Sequence, residues 1–157
     1  MGSSTSICSN RLRAPLHIVG DGPELKRLRR LAGPTVKFFP AVADLTETYR
    51  NCQAFLFPGE EDFGITPLEA MASGRPVIAY GVGGATETVV AGKTGVFFNE
   101  PTVESLMAAM QQAEKIKWDT KAIRKRALEF DRPLFKRNLE KAIALCLKAR
   151  LKKTSSK

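Results

Sequence analysis

Five short apolar runs recur along the chain, and segments between them repeat apolar residues every three or four positions. The runs occupy residues 16–20, 35–39, 54–57, 76–80 and 95–98. Short apolar runs bounded by turn residues are typical of buried strands, and a spacing of three or four is typical of amphipathic helices. Alternating strands and helices predict an α/β domain in which helices cover both faces of a parallel sheet of about five strands.

Helical segments follow the predicted strands. They cover residues 24–31, 44–51, 66–74, 85–91, 103–116 and 120–130, and a last helix begins near Pro133. Asp44, with Glu47 three residues later, is a typical helix start. The two ends of the chain lack such patterns. We therefore expect a flexible segment at residues 1–13, one domain at 14–151 and a disordered tail at 152–157.

The last predicted helix combines an apolar stripe with basic residues. The stripe residues are spaced by three or four and are Phe135, Leu139, Ala142, Ile143, Cys146 and Leu147. The basic residues off the stripe are Lys136, Arg137, Lys141, Lys148 and Arg150. Such a helix can lie on an anionic membrane or pack within a protein, and the sequence leaves both alternatives open.

Charge and composition restrict the classes of partner. The 157 residues include 25 Lys and Arg against 16 Asp and Glu, a net charge of +9 that favours anionic partners such as sugar nucleotides or acidic lipids. No recognition motif supports nucleic-acid binding. Three widely spaced cysteines and one histidine, His17, argue against a disulfide framework and a zinc site. With no apolar run near the ~20 residues of a membrane span and no signal-peptide pattern, we expect a cytoplasmic protein, with peripheral membrane contact as an alternative.

The stretch at residues 57–74 is the leading candidate for a ligand site. It joins the end of a buried strand to an acidic loop and then to a helix, which Thr66 is expected to open as N-cap and Gly74 to close. In open α/β sheets, ligands bind where strands end, and a helix N-terminus offers unpaired N–H groups to an anion. We therefore expect an anionic ligand at this loop.

Two carboxylates flank the expected site, Glu61 in the loop and Glu69 in the helix. Thr66 and Glu69 have the spacing of a capping box, which by itself would explain Glu69. Glu61 lies between two further acids, and because like charges repel, a ligand role explains it more economically. The paired Gly83 and Gly84 allow the backbone to approach either a ligand or a neighbouring helix.

The same stretch resembles a known enzyme family. Glu61 and Glu69, with seven residues between them, lie in a run that is similar to the Glu-x7-Glu region of retaining GT-B glycosyltransferases of the family 4 type. Further blocks match in order at residues 19–23, 83–87 and 92–96. The resemblance implies a Rossmann-like three-layer α/β/α domain that forms the C-terminal half of a GT-B fold.

The resemblance also implies a function. The chain would be the donor-binding domain of an enzyme that moves a hexose from a nucleotide-diphospho-sugar to an acceptor, without a metal. Its partner would be an N-terminal GT-B domain or a separate acceptor-binding chain. The alternative is a noncatalytic module of the same fold that binds a nucleotide sugar or another protein.

Site roles transfer to the matching positions. By the resemblance, Glu61 is catalytic and holds hydroxyls of the transferred hexose, whereas Glu69 accepts hydrogen bonds from the ribose. The loop at residues 40–43 would lie against the base, although Pro40 replaces the usual glycine. The remaining donor-binding residues are Phe63, Gly64, Ile65, Thr66, Val42, Gly83 and Gly84.

One part of the family pattern has no match. In the family, the domain opens with a strand that ends in Gly-Arg and is followed by a Lys, and these basic residues hold the donor diphosphate. Nothing before Leu16 matches, since Arg11 and Arg13 stand too close to the next strand. We therefore expect a gap or altered pairing where that strand would lie, a lowered stability and no hexose transfer by this chain alone.

Overall fold

The computed structural model describes residues 2–154, with side chains described for residues 5–148. The elements in chain order are α1 (Gly2–Leu12), β1 (Leu16–Val19), α2 (Leu25–Leu31), β2 (Val36–Phe39), α3 (Thr46–Asn51), β3 (Phe55–Phe57), α4 (Ile65–Ala72), β4 (Val77–Tyr80), α5 (Ala85–Thr88), β5 (Gly95–Phe98), α6 (Val103–Lys115), α7 (Thr120–Leu128) and α8 (Arg132–Thr154). All five predicted strands are present, and the predicted α/β class is confirmed.

The five strands form two parallel sheets within the described residues. β1 pairs with β2, with Leu16 opposite Val36. β4 lies between β3 and β5, with Val77 opposite both Phe55 and Gly95. The expected interruption of the sheet is confirmed, because no ladder joins β1 or β2 to the three-stranded sheet in this part of the chain.

The core lies on both faces of the three-stranded sheet. Consecutive residues of β4 point in opposite directions, as in any strand. Val77 packs in a cluster with Met71 of α4 and Ile123 of α7. Ile78 packs in a second cluster with Leu106 of α6. The sheet is therefore the middle layer of three, and the predicted arrangement of helices on both faces is confirmed.

Helix α1 corrects the expectation of a flexible segment at residues 1–13. It packs against α6 and α2, and Cys8 is fully buried. Cys8 Sγ donates to the carbonyl of Val103 at 3.3 Å, and Ser9 Oγ donates to the carbonyl of Ala14 at 2.6 Å. Small polar side chains therefore fill the inner face of this helix, which gives it little apolar periodicity. The expectation was wrong because it relied on that periodicity.

The end of the chain is also more ordered than expected. Helix α8 continues through Thr154, so residues 152–154 of the predicted disordered tail are helical, and residues 155–157 lie outside the described part. The apolar stripe of α8 faces solvent, with Phe135 65% exposed and Leu147 57% exposed. None of the helices in residues 2–154 has the length and apolar character needed to cross a membrane.

Candidate functional site

The acidic loop after β3 leads directly into α4. Gly64 is the N-cap of α4 and adopts a left-handed conformation with φ +79°, which glycine tolerates readily. The predicted N-cap, Thr66, is therefore wrong, because the helix begins at Ile65, two residues earlier than that assignment allows. The predicted end at Gly74 is confirmed: its φ is +78°, and Arg75 N–H donates to the carbonyl of Ala70 at 3.0 Å.

The shifted helix start changes the account of Glu69. No side chain caps the N-terminus of α4, so the capping box between Thr66 and Glu69 is absent. The hydroxyl of Tyr49 instead donates a hydrogen bond to Glu69 Oε2 at 3.2 Å. Glu69 is an exposed side chain, and its carboxylate has no role in the helix start. The capping box therefore does not explain Glu69, and its ligand role stays a prediction.

A pocket of about 380 Å³ lies beside Glu69. This volume is within the usual range for small-molecule sites. Residues from α3, α4, α7 and the loop before α3 line it: Ala43, Asp44, Leu45, Thr46, Tyr49, Arg50, Glu69, Ala72, Ser73 and Arg124. Val42, predicted to contact a base, precedes this lining and is 49% exposed. The pocket thus joins the predicted base loop to the predicted ribose carboxylate.

Local hydrogen bonds fix the loop before α3. Asp44 Oδ1 accepts the backbone N–H of Thr46 at 2.8 Å. The helix begins at Thr46 with Leu45 as its N-cap, so the prediction that Asp44 opens this helix is wrong by one residue. Hydrogen bonds from the Thr46 side chain and then from its backbone lower the pKa of the Asp44 carboxyl. Asp44 therefore stays ionised at the pocket.

Tyr49 is a pocket residue that the sequence analysis missed. It is only 6% exposed, and its ring meets the ring of Phe55 edge-on with centroids 5.5 Å apart. Burial, and secondly the negative charge of Glu69, raise the pKa of the Tyr49 hydroxyl. The available signal was its spacing of four from Leu45, which turns it inward, since a buried tyrosine hydroxyl needs a partner.

Gly83 and Gly84 lie against the acidic loop. Gly84 N–H donates to the carbonyl of Glu61 at 2.8 Å. A Cβ on Gly84 would lie 2.5 Å from Phe63 Cα, and a Cβ on Gly83 would lie 2.6 Å from the carbonyl oxygen of Glu61. The close approach expected of these glycines is thus made to the backbone of the loop itself. Their predicted donor-binding role is untested.

The other predicted site residues lie on this loop and at the start of α4. Glu61 is exposed, and its carboxylate makes no hydrogen bond or ion pair to any side chain described. Phe63 is 47% exposed and Ile65 is 64% exposed. None of these residues lines the pocket beside Glu69. The predicted site therefore has two parts, a pocket at Glu69 and an open loop at Glu61.

Helix α7 braces the loop, a contact that the sequence did not indicate. The ring of Phe130, just after α7, meets Phe63 with centroids 6.1 Å apart. The guanidinium of Arg126 lies 4.8 Å from the same Phe130 ring, and its Nε donates to the carbonyl of Thr88 at 3.1 Å.

Residues 5–148 contain no cluster of three or more His, Cys, Asp or Glu side chains that could hold a metal.

Known proteins resemble this chain in sequence and in fold. The sequence model of the family described as Glycosyl transferases group 1 matches residues 5–130. The alpha-1,3/1,6-mannosyltransferase ALG2 of Candida glabrata is 31% identical over 129 residues, which cover 80% of this chain and 27% of that protein. The GDP-mannose-dependent alpha-(1-6)-phosphatidylinositol monomannoside mannosyltransferase of Mycobacterium tuberculosis is 37% identical over 114 residues, covering 63% of this chain and 30% of that protein.

Solved structures support the same fold. The sucrose-phosphate synthase of Thermosynechococcus elongatus superposes with a TM-score of 0.78 at 24% identity, covering 94% of this chain and 42% of that one. The chain spans 27% and 30% of the two curated relatives. The family match begins inside α1 and continues through α7. The chain therefore belongs to the group 1 family of GT-B glycosyltransferases.

Proposed function

We propose that this chain is the donor-binding domain of a retaining, family 4 hexosyltransferase that takes a nucleotide-diphospho-sugar as donor. The observation that carries the proposal is the carboxylate of Glu69, which faces a pocket of about 380 Å³ and takes no part in capping its own helix. The M. tuberculosis relative, whose name states a dependence on GDP-mannose, supports a nucleotide sugar as ligand.

The start of α4 supplies the electrostatic part of the mechanism. The N–H groups of the first helical turn have no partners within the helix, and the helix dipole adds partial positive charge there. In our proposal, the backbone of Phe63, Gly64, Ile65 and Thr66 meets sugar and diphosphate oxygens. Charge that grows on the leaving diphosphate is then stabilised by groups that are already oriented. The role needs no metal.

The two carboxylates divide the remaining recognition. Glu69 accepts hydrogen bonds from ribose hydroxyls, with the base placed toward Val42 and the loop before α3. Glu61 holds hexose hydroxyls beside the diphosphate and is the catalytic residue. Gly84 helps indirectly, because its N–H fixes the backbone carbonyl of Glu61.

Matched amide substitutions test this division. Glu69→Gln should weaken binding of the bare nucleotide, and Glu61→Gln should weaken binding only of the nucleotide sugar. Loss of one hydrogen bond to a charged group costs about 1.5–3 kcal/mol, which is a loss of affinity of about 10- to 150-fold. Calorimetry with UDP, GDP, ADP and their sugars measures both changes.

Glu60→Gln is the control, because it removes the same charge from the same loop. If Glu60→Gln weakens nucleotide-sugar binding as much as Glu61→Gln, loop charge rather than a specific contact is responsible. If Glu61→Gln and Glu69→Gln respond alike to the bare nucleotide, the division of roles is wrong. A noncatalytic module is the alternative function. It predicts the same binding but no transfer when an acceptor-binding domain is supplied.

The stripe of α8 supports a proposal about partners. Phe135, Leu139, Ile143 and Leu147 are all exposed, and basic residues flank them. In our proposal, an acceptor-binding domain or an anionic membrane covers this stripe, and the protein acts in the cytoplasm, where it contacts the membrane peripherally.

A further inference from the structure

We propose that Tyr49 is a positioning residue that orients the Glu69 carboxylate for the ribose of the donor. Its hydroxyl donates to Glu69 Oε2 at 3.2 Å, and both residues line the same pocket. The inference rests on the proposed function, because it adds a second residue to the carboxylate that the proposal assigns to the ribose. No contact between Tyr49 and the ligand is required.

The tyrosine side of this pair is rigid. Tyr49 lies on α3 and is 6% exposed, and its ring packs edge-on against Phe55 of β3 at an interplanar angle of 84°. Its backbone N–H donates to the carbonyl of Leu45 at 2.8 Å, and its carbonyl accepts the N–H of Cys52 at 3.2 Å. The hydroxyl is therefore held at a fixed point on the pocket wall.

The glutamate side of the pair is mobile without its partner. Glu69 is an exposed residue of α4, and an unrestrained glutamate side chain samples several rotamers. A ligand that binds such a side chain must restrict it, at a cost in conformational entropy. The hydrogen bond from Tyr49 restricts one carboxylate oxygen in advance and leaves the rest of the carboxylate available to the pocket.

A purely structural role does not explain the hydroxyl. Phenylalanine at position 49 could make the same ring contact with Phe55, and it would bury no polar atom. A buried hydroxyl is unfavourable unless it is hydrogen-bonded. At Tyr49 the partner is a carboxylate on a different helix, twenty residues further along the chain. The hydroxyl therefore joins the core to the pocket.

The test compares Tyr49→Phe with Tyr80→Phe, a matched control. Tyr80 lies on β4, its ring stacks on Phe98, and it does not line the pocket. UDP, GDP and ADP are titrated calorimetrically into the wild-type chain and both variants, together with their 2′,3′-dideoxy counterparts. Tyr49→Phe should weaken the best ribonucleotide about fivefold, the effect of one lost hydrogen bond. It should change the dideoxy counterpart by less than about twofold, because that ligand lacks the hydroxyls that Glu69 accepts.

The outcomes separate the inference from the proposed function. If no nucleotide binds the wild-type chain, the proposed function fails, and the inference fails with it. If the wild-type chain binds the ribonucleotide and its dideoxy counterpart equally, Glu69 does not bind the ribose hydroxyls. The proposed ribose role of Glu69 and the positioning role of Tyr49 then both fail. If the wild-type chain prefers the ribonucleotide and Tyr49→Phe keeps the full preference, the proposed function stands and the role of Tyr49 is overturned.

Discussion

Substitution of Gly84 by alanine tests how the acidic loop is held. Gly84 has φ −61° and ψ −21°, which alanine adopts without strain, so any cost must come from steric contact. The new Cβ would lie 2.5 Å from Phe63 Cα, whereas ordinary contacts begin at 3.4 Å. The loop backbone must therefore move by about 0.9 Å, or α5 must move away from it.

The expected destabilisation follows from three contributions. Overpacking at a rigid contact costs about 1–3 kcal/mol. Weakening the hydrogen bond from Gly84 N–H to the carbonyl of Glu61 costs about 1 kcal/mol more. Replacing glycine by alanine at a compatible conformation recovers about 0.4–1 kcal/mol through the unfolded state. The free energy of unfolding should therefore fall by about 1–3.6 kcal/mol, measured by urea denaturation at unchanged m-value.

Gly59→Ala is the matched control, because it lies in the same loop and a Cβ there would meet nothing within 4 Å. Its stability should stay close to that of the wild-type chain. Displacement of Glu61 and of the Phe63 backbone should also weaken binding of nucleotide sugars in Gly84→Ala. Binding of bare nucleoside diphosphates should weaken less, since the pocket at Glu69 is lined by other segments. Equal stability of the two alanine variants would refute the close contact between Gly84 and the loop.

Three further predictions use other features of the chain. Below pH 10.0, the ordinary pKa of tyrosine, the raised pKa of Tyr49 contributes its full stabilisation, and above pH 10.0 stability falls because the unfolded chain releases a proton that the folded chain retains. This fall amounts to up to about 1.4 kcal/mol per pH unit, and Tyr49→Phe should remove it. Urea unfolding at about pH 9 and about pH 11 measures the difference. In flotation, the chain should bind anionic vesicles and not neutral ones, and binding should decrease at high salt or after Phe135→Ser. Equal binding to both kinds of vesicle would contradict a charge-driven contact. Purified alone, the chain should show no hexose transfer in an assay with labelled donor, because Glu61 and Phe63 are open to water, and measurable transfer would contradict this expectation.

The strands were predictable because their signal is local. The buried run of β4 is almost entirely apolar, and a short apolar run bounded by turns has few other interpretations. Helix α1 was missed because its buried residues include Ser6, Cys8 and Ser9, which carry little apolar signal. Its packing depends on close approach and on hydrogen bonds to distant backbone, and neither can be inferred from hydrophobic periodicity.

The candidate site shows the same division between local and distant information. The local pattern indicated a ligand at residues 57–74, but it assigned the wrong N-cap, because a left-handed Gly64 lets the chain enter the helix before Thr66. The bond between Tyr49 and Glu69 and the contact of Gly84 with the loop join segments that are distant in sequence. Such pairings are fixed by tertiary packing, so a single sequence contains no direct signal for them.

The interrupted sheet divides the domain into halves of unequal packing, and the candidate site depends mainly on the better packed half. β1 and β2 form a two-stranded sheet in which Val36 is the one buried residue, and a two-stranded sheet is marginal unless other elements cover it. Helix α1 supplies that cover, since it contacts both β2 and α6. The pocket at Glu69 and the loop at Glu61 are built instead from residues that follow β2, around a three-stranded sheet with core on both faces. Loosening of the first half should therefore reach the site through β2, which leads directly into the loop toward the pocket, and through Asp21, whose carboxylate accepts the N–H of Ala41 in that loop.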